Sequence, residues 1–279
     1  MKIYKMFFFI AIILLTSETS FTQSSGGEEF IIEKGKVFVP SNFNPAERPF
    51  RLFIHLHGRS GVVIENFKNA MINGALISLH LGSLSSPYRI AFSDQEYFQS
   101  VIDTALKVLR DSINRFHFSD YDRLYITSFS AGYGGVREIL KNKKYYDRIT
   151  AIILADGLHT DYVGDPSEVS DCKLPNPELL QDFLRFANDA VEGEKEFIVT
   201  HSEIYPGSYS STTECSNYLL ENTSTERIFS EMFYNENLIR KSYAFKNGFR
   251  TFGFYGEAGP DHVQHLYNLH LFIKMLNLK

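Results

Sequence analysis

The alternation of short apolar runs with longer segments of helical periodicity is the feature that most limits how this chain can fold. The apolar runs are candidate β-strands at residues 36–39, 51–57, 76–81, 123–127, 149–155, 197–200 and 250–255. Their almost continuous apolar character is typical of strands buried on both faces, as in a parallel sheet covered by crossover helices. The sequence therefore predicts one α/β domain with a single doubly wound, mostly parallel sheet flanked by helices.

Helix start and stop signals occupy several of the intervening segments. Ser93 opens a predicted capping box ahead of apolar residues at helical spacing. Asn176 and Pro177 are typical of the N-cap and the first position of a helix, and Gly193 is predicted to end that helix. A last helix is predicted over residues 261–276.

Composition and charge exclude several classes of protein. The 279 residues include 28 Lys+Arg and 33 Asp+Glu, which gives a net charge of −5. This balance offers no general phosphate-binding surface, so nucleic acid is not an expected partner. With 44% hydrophobic residues and only two cysteines, the chain is neither disordered nor a disulfide-dominated miniprotein. A chain of this length can bury a full core.

The N-terminus has the pattern of a secretory signal peptide. Two lysines precede an unbroken apolar run over residues 6–15, and small polar residues follow. This run is about half the length that spans a bilayer. We expect residues 1–22 to be a signal peptide and residues 23–279 to be a secreted or periplasmic domain, with no stable membrane insertion after cleavage before Gln23. An uncleaved membrane anchor is the alternative.

Both cysteines, Cys172 and Cys215, lie in the predicted exported domain. In an oxidising compartment they can pair and close a loop of about 44 residues. Two buried free thiols are the alternative. Their spacing matches neither a CxxC motif nor a zinc pattern.

Residues 123–135 have the strand–turn–helix pattern of a nucleophile elbow. The turn is so sharp that the residues two before and two after the nucleophile must be small. For Ser130 these residues are Ser128 and Gly132. If Ser128 were the nucleophile, Ile126 would occupy one of the tight positions. Ser130 is therefore the predicted nucleophile, and an ordinary Gly/Ser loop after a strand is the alternative.

With this motif the sequence resembles the α/β-hydrolases of the esterase and lipase type, from Arg51 to the C-terminus. Ser128 is a departure, because the common G-x-S-x-G pattern has a glycine there. In that family a histidine base, oriented by an acid, activates the serine, in the chain order nucleophile, acid, histidine. The resemblance implies a serine hydrolase without cofactor or metal, and the predicted signal peptide would export it. Its substrate would be a small-molecule or polymer-borne carboxylic ester.

The resemblance also implies an oxyanion hole. In that family the strand upstream of the elbow ends in His-Gly, which corresponds here to His57 and Gly58. One donor would be the backbone N–H of Gly58 or Arg59, and the second would be that of Ala131. Each such donor lowers the barrier by about 3 kcal/mol. Alternatively, His55 and His57 are core or loop histidines with no catalytic part.

The base is expected after the last strand, where the family has its histidine. His262 lies at the junction with the last predicted helix, and His265 on that helix is the alternative base. The two are spaced H-x-x-H without the glutamate of an HExxH motif, so a metal site is not expected.

The triad acid stays open between two strand ends. Asp156 directly follows the strand at 149–155, whereas Glu203 lies further into the loop after the strand at 197–200. Asp156 is favoured, and Asp161 is a third candidate. A loop carboxylate that caps a neighbouring helix is the alternative for any of them.

Further residues are expected near these strand ends. His159 and His201 follow the same two strands and should lie side by side if the strands are adjacent. The hydroxyl-rich segment 205–214 is expected to form an ordered loop on the active side. Residues 161–173 and 214–241 have no recognisable chemistry, so the substrate remains open.

Two other functions remain open. The same triad cleaves amides, so a peptidase or amidase is the first alternative. A non-catalytic α/β-hydrolase-like domain that binds a ligand is the second, because a fold alone does not establish activity.

Overall fold

The computed structural model describes residues 26–44, 46–112, 120–163 and 173–278. The strands in these ranges are β1 Gly27–Ile32, β2 Gly35–Pro40, β3 Arg51–Leu56, β4 Gly74–Leu79, β5 Arg123–Phe129, β6 Ile149–Ala155, β7 Tyr162–Val163, β8 Leu174–Pro175, β9 Glu196–His201, β10 Arg227–Asn235, β11 Leu238–Lys246 and β12 Phe249–Phe254. The helices are α1 Ser60–Ala70, α2 Ser85–Ser93, α3 Tyr97–Ser112, α4 Tyr133–Lys141, α5 Lys143–Arg148, α6 Pro177–Glu192, α7 Thr212–Asn222, α8 Gly259–Tyr267 and α9 Leu269–Ile273.

Among the described helices, none has both the length and the apolar character needed to cross a membrane. The predicted signal peptide lies outside the described residues.

Within the described ranges, ten strands form one sheet in the order β1-β2-β4-β3-β5-β6-β9-β12-β11-β10. The six central strands, from β4 to β12 in this order, run parallel to one another. Antiparallel strands extend the sheet at both edges. All seven predicted strands belong to it, which confirms the predicted doubly wound, mostly parallel sheet.

Helices cover both faces of the central strands. Helices α2 to α7 contribute to the core on one face, and α1, α8 and α9 to the core on the other. Along β3, Leu52 and Ile54 belong to the first core and Phe53 to the second, and all three are fully buried. Successive side chains of a strand point to opposite faces. Two-sided burial therefore explains why these strands appear in the sequence as continuous apolar runs.

The predicted helix between Asn176 and Gly193 is confirmed as α6. The side chain of Asn176 accepts a hydrogen bond from the backbone N–H of Glu178, and Pro177 occupies the first turn. Gly193 ends the helix with a left-handed φ of 87°. The sequence signals and the structure agree here because both capping contacts are local.

Two other helix predictions were wrong in detail. Ser93 ends α2 rather than starting α3, and its hydroxyl donates to the carbonyl of Ile90. The side chain of Asp94 instead accepts a hydrogen bond from the backbone N–H of Glu96 ahead of α3, since a carboxylate is a stronger acceptor than the hydroxyl of Ser93. The predicted last helix is broken at Asn268 into α8 and α9, where the backbone leaves the helical region with φ −109° and ψ 18°.

The β10–β11 hairpin occupies much of a segment for which the sequence predicted no element. β10 is exposed along most of its length, with Phe229 and Phe233 about two-thirds exposed or more. Such a strand has no buried face to impose an alternating pattern, so its sequence carries little strand signal.

Cys215 is a free, buried thiol on α7, while Cys172 lies outside the described residues. The Cys215 sulfur is 3.2 Å from the hydroxyl oxygen of Ser210. Burial raises the pKa of the Cys215 thiol to about 11, so the thiol stays protonated at neutral pH.

Candidate active site

Ser130 lies in a tight turn between β5 and α4. Its φ is +46°, a left-handed conformation that residues with side chains seldom adopt and that is common at functional turns. A Cβ atom at Gly132 would collide with the carbonyl oxygen of Leu56 at the end of β3, so glycine is required there. Ser130 borders a cavity of about 710 Å³. The turn thus has the geometry of the predicted nucleophile elbow.

The end of β6 packs directly against this turn. A Cβ atom at Gly157 would collide with the carbonyl oxygen of Ser130 and lie 2.7 Å from its nitrogen. Asp156, just before Gly157, also has a left-handed φ of +42°. Because β5 and β6 are parallel neighbours, Ser130 and Asp156 lie at the same edge of the sheet.

Asp156 and His262 are hydrogen-bonded. The Nδ1 atom of His262 lies 2.7 Å from Oδ2 of Asp156. Ser202 donates to the same carboxylate twice, from its backbone N–H to Oδ1 at 2.9 Å and from its hydroxyl to Oδ2 at 2.8 Å. The Asp156 carboxylate is almost fully buried, and these hydrogen bonds satisfy it and hold it in one orientation.

The electrostatics of this pair keep Asp156 ionised. Burial alone acts to raise the pKa of Asp156, but His265, His262 and the N–H of Ser202 outweigh it, so that the pKa falls below its usual range. An ionised carboxylate accepts a hydrogen bond from the Nδ1–H group of His262. This fixes the tautomer and leaves Nε2 of His262 as a proton acceptor.

His262 is held beside the elbow by its ring contacts. It lies in the first turn of α8, and its ring centroid is 4.6 Å from that of Phe129, the residue before Ser130. About 24% of the His262 side chain is exposed. The His262 ring is thus partly accessible to solvent and still constrained by packing.

His265, the alternative base, is buried behind the carboxylate. Its Nδ1 atom lies 2.6 Å from the hydroxyl of Thr200, which in turn accepts the backbone N–H of Asp156 at 3.1 Å. Its Nε2 atom is 4.0 Å from Oδ2 of Asp156. Since His265 is only 1% exposed, it cannot reach a substrate. The structure thus places it as a support for Asp156.

Of the three candidate acids, only Asp156 contacts His262. Glu203 forms an ion pair with Lys241 and accepts a weak hydrogen bond from the N–H of Gly256. It borders a separate cavity of about 340 Å³, which Ser130 does not line. Asp161 is exposed at the border of the Ser130 cavity.

The three predicted oxyanion donors belong to two adjacent turns. Ala131 borders the Ser130 cavity and begins the helical run after the elbow, where backbone N–H groups have no intrahelical acceptor. Gly58 has a φ of +123°, and Arg59 is the N-cap of α1. Gly58 and Arg59 do not border the cavity, so of the three only Ala131 faces it directly.

His55 supports the loop after β3, which agrees with the alternative prediction of a core histidine. It is fully buried, and its Nε2 atom lies 2.5 Å from the carbonyl oxygen of His57. Its Nδ1 atom lies 2.8 Å from the hydroxyl of Thr127 on β5. Burial lowers the pKa of His55 to about 4, so the ring is neutral and donates one hydrogen bond while accepting the other. His55 thus ties the loop that carries Gly58 to the strand that carries Ser130.

His159 and His201 border different cavities, although β6 and β9 are adjacent. The ring of His159 packs against Tyr133 and Tyr209 at the Ser130 cavity. His201 contacts the hydroxyl of Thr213 at 2.7 Å and borders the separate cavity. The two histidines differ in position because His201 is still part of β9, whereas His159 lies beyond the end of β6. The predicted active-side loop does reach the Ser130 cavity, through Tyr209.

The parallel sheet, the strained serine after β5, the aspartate after β6 and the histidine after β12 together define the α/β-hydrolase fold. This is the fold that the resemblance in sequence implied.

Solved structures that share this fold include esterases. The enterobactin esterase FES from Shigella flexneri is similar with a TM-score of 0.50 and 10% identity, over 89% of this chain and 58% of that one. This chain therefore spans little more than half the length of that protein. A cold-adapted esterase from an Arctic intertidal metagenomic library has a TM-score of 0.45 and 10% identity, over 91% of this chain and 96% of that chain. The feruloyl esterase module from Clostridium thermocellum has a TM-score of 0.44 and 9% identity, over 93% and 89% of the two chains.

No protein-family model and no curated protein matches the sequence. At about 10% identity the structural similarity establishes the fold and leaves the substrate undetermined.

Proposed function

We propose that the protein is a serine hydrolase that cleaves carboxylic esters. The observation that carries this proposal is the hydrogen bond between Asp156 and His262, with the His262 ring packed against the residue that precedes the strained Ser130. A serine hydroxyl is a weak nucleophile until a base removes its proton. The tautomer that Asp156 imposes presents Nε2 of His262 for that task.

In the proposed mechanism, Oγ of Ser130 attacks the ester carbonyl as Nε2 of His262 takes the hydroxyl proton. The backbone N–H of Ala131, with that of Gly58 or Arg59, stabilises the negative oxygen of the tetrahedral intermediate. When this intermediate collapses, the alcohol leaves with the proton from His262. Water then hydrolyses the acyl-enzyme by the same steps, and the carboxylic acid is released.

Paired substrates test the proposed reaction and its amide alternative. The protein should hydrolyse 4-nitrophenyl esters in an acyl chain-length series, and much faster than the matching 4-nitroanilides. Ser130→Ala should lower kcat by about 10⁶-fold, the order of magnitude typical of losing a serine nucleophile. Ser128→Gly is the matched control and should stay active, because the Ser128 hydroxyl is buried without a hydrogen-bond partner. Full ester hydrolysis by Ser130→Ala would refute the proposal, and faster anilide cleavage would favour the amidase.

We also propose that the chain is exported and cleaved before Gln23. The basic and apolar pattern of residues 1–22 supports this proposal. Intact mass spectrometry of the protein from the culture medium or periplasm should give an N-terminus at or near Gln23. Intact Met1 in a membrane fraction would indicate an anchor instead.

A further inference from the structure

Arg137 is a buried cation at the border of the Ser130 cavity. It lies on α4 and is only 8% exposed. Its Nη2 atom donates to the carbonyl oxygen of His159 at 2.5 Å, and its guanidinium carbon is 5.1 Å from the centre of the Tyr133 ring. Its Nε atom is buried and has no hydrogen-bond partner. One carbonyl and one ring face leave much of the hydrogen-bonding capacity of the guanidinium unused.

The charge of Arg137 has no carboxylate partner within 4 Å among the described residues. The adjacent Glu138 pairs with Lys141 instead. Asp161 is exposed to solvent, which screens its charge. A buried cation without a counter-ion is costly, and an arginine remains charged in proteins even where burial lowers its pKa, as it does here.

Arg185, whose side chain is 47% exposed, makes similar contacts and also has a carboxylate partner. Like Arg137, it donates to a backbone carbonyl, that of Leu140 at 2.7 Å, and stacks over a tyrosine ring at 3.9 Å. Unlike Arg137, it also forms an ion pair with Asp182 at 3.1 Å. The element missing at Arg137 is therefore the carboxylate.

The cavity offers a second favourable feature for an anion. The first turn of α2, including Ser85 and Ser86, borders the same space as Arg137. The positive end of a helix dipole stabilises negative charge nearby. No side chain caps this helix end.

We propose that Arg137 binds a carboxylate of the substrate, so that the preferred substrates are esters that carry a second, ionised carboxyl group, such as monoesters of dicarboxylic acids. This inference rests on the proposed ester hydrolysis at Ser130. A guanidinium recognises a carboxylate through paired hydrogen bonds, which supply geometric specificity as well as binding energy.

Matched neutral and anionic esters test this specificity. The first pair is 4-nitrophenyl valerate and the mono-4-nitrophenyl ester of glutaric acid, which differ in a methyl and a carboxylate at the chain end. The second pair, phenyl acetate and 4-carboxyphenyl acetate, places the charge on the leaving alcohol. For at least one pair, kcat/KM should be higher for the anionic ester. Arg137→Gln should reduce this anionic-to-neutral ratio by about 10- to 100-fold.

Two further variants make the result specific. Arg137→Lys keeps the charge and should retain part of the preference, whereas Arg185→Gln should leave the ratio unchanged. Circular dichroism checks the folding of each variant. If Arg137→Gln does not fold, the anionic-to-neutral ratio measured for Arg137→Lys decides the outcome. A wild-type ratio of one or less in both pairs, or a ratio that Arg137 substitution leaves unchanged, would overturn the proposal.

A binding experiment separates this inference from the proposed catalysis. In the Ser130→Ala protein, calorimetry should show tighter binding of the anionic ester than of its neutral match, and the difference should be lost with Arg137→Gln. Equal binding of the two esters would refute the role of Arg137 whatever the nucleophile is. Hydrolysis that does not depend on Ser130, with this binding preference intact, would refute the mechanism alone.

Discussion

The carboxyl ends of β6 and β9 lie next to each other, and each is followed by an acidic residue, yet the two carboxylates have different partners. Asp156 follows β6 directly and is buried against His262 and Ser202. Glu203 lies two residues after β9, has a side chain 30% exposed, and pairs with Lys241 on β11. Residue type therefore does not decide which carboxylate orients the histidine. The left-handed turn at the end of β6 does, because it directs the Asp156 side chain towards α8.

The end of β9 still contributes to the site, through hydrogen bonds to Asp156 rather than as an acid. Ser202 gives both of its hydrogen-bond donors to Asp156, and Thr200 accepts the backbone N–H of Asp156. One strand end thus supplies the charge and the next holds it in place. Substitutions at the two ends should differ in size accordingly.

The largest effect should follow Asp156→Asn. The amide keeps the volume of the side chain, but its NH₂ group cannot accept a hydrogen bond from the Nδ1–H group of His262, so the wrong tautomer is favoured. The expected loss in kcat is on the order of 10⁴, as is typical when a triad aspartate becomes asparagine. Steady-state hydrolysis of one 4-nitrophenyl ester measures it, with circular dichroism as the control for folding. A loss below tenfold would remove Asp156 from the triad.

As the pH is lowered, the protein should begin to lose stability at pH values well above the pKa range of its carboxyl groups. Burial lowers the pKa of His201 on β9 to about 3, from an ordinary value of 6.5. As the pH falls below 6.5, the unfolded chain takes up a proton that the folded chain excludes, so the folded state loses about 1.4 kcal/mol per pH unit for such a histidine. The loss continues until the pH reaches the folded pKa.

Urea unfolding at pH 7.0 and pH 4.5 measures this effect. Asp156 does not contribute in this range, because its pKa is also lowered and its stabilisation is lost only below about pH 3.9. A His201→Gln variant should show a smaller loss between the two pH values than the wild type. An equal loss would mean that His201 is not held neutral.

A smaller catalytic effect should follow substitution of His265. His265→Phe fits the surrounding aromatic packing but removes the ring nitrogens that face Thr200 and Asp156. We expect kcat to fall by about tenfold with KM unchanged, because the effect passes through the orientation of Asp156 and does not reach the substrate. His265→Gln, which keeps polar atoms there, should lose less. A loss as large as that of Asp156→Asn would make His265 a direct participant.

The smallest effect should follow Glu203→Gln. Its ion pair with Lys241 is partly exposed, and such pairs contribute about 0–1 kcal/mol. We expect kcat/KM within about threefold of wild type and little change in the free energy of unfolding. A loss larger than that of Asp156→Asn would reverse the assignment of the acid and leave Ser130 and His262 in place.

The parts of the site that could be predicted from the sequence are local. The turn at Ser130 is recognisable because small residues must lie two positions before and after it, and Asp156 because it directly follows an apolar run. The parallel arrangement of the central strands follows from the α/β alternation.

The supporting contacts could not be predicted, because their partners are distant in the chain. Ser202 is 46 residues from Asp156, and His55 is 72 residues from Thr127. Residue type does not distinguish such a buried support from a surface residue. The β10–β11 hairpin was missed for another reason: its outer strand is exposed, so burial imposes no pattern on it.

Covalent labelling with a fluorophosphonate tests the assignment of Ser130 most directly. Attack by Oγ of an activated serine expels fluoride and leaves a stable phosphonyl ester. We predict a single adduct that peptide mass spectrometry locates at Ser130, no adduct in Ser130→Ala, and an unchanged adduct in Ser128→Gly. An adduct that persists in Ser130→Ala, or that maps to another residue in the wild type, would contradict the assignment of Ser130 as the nucleophile.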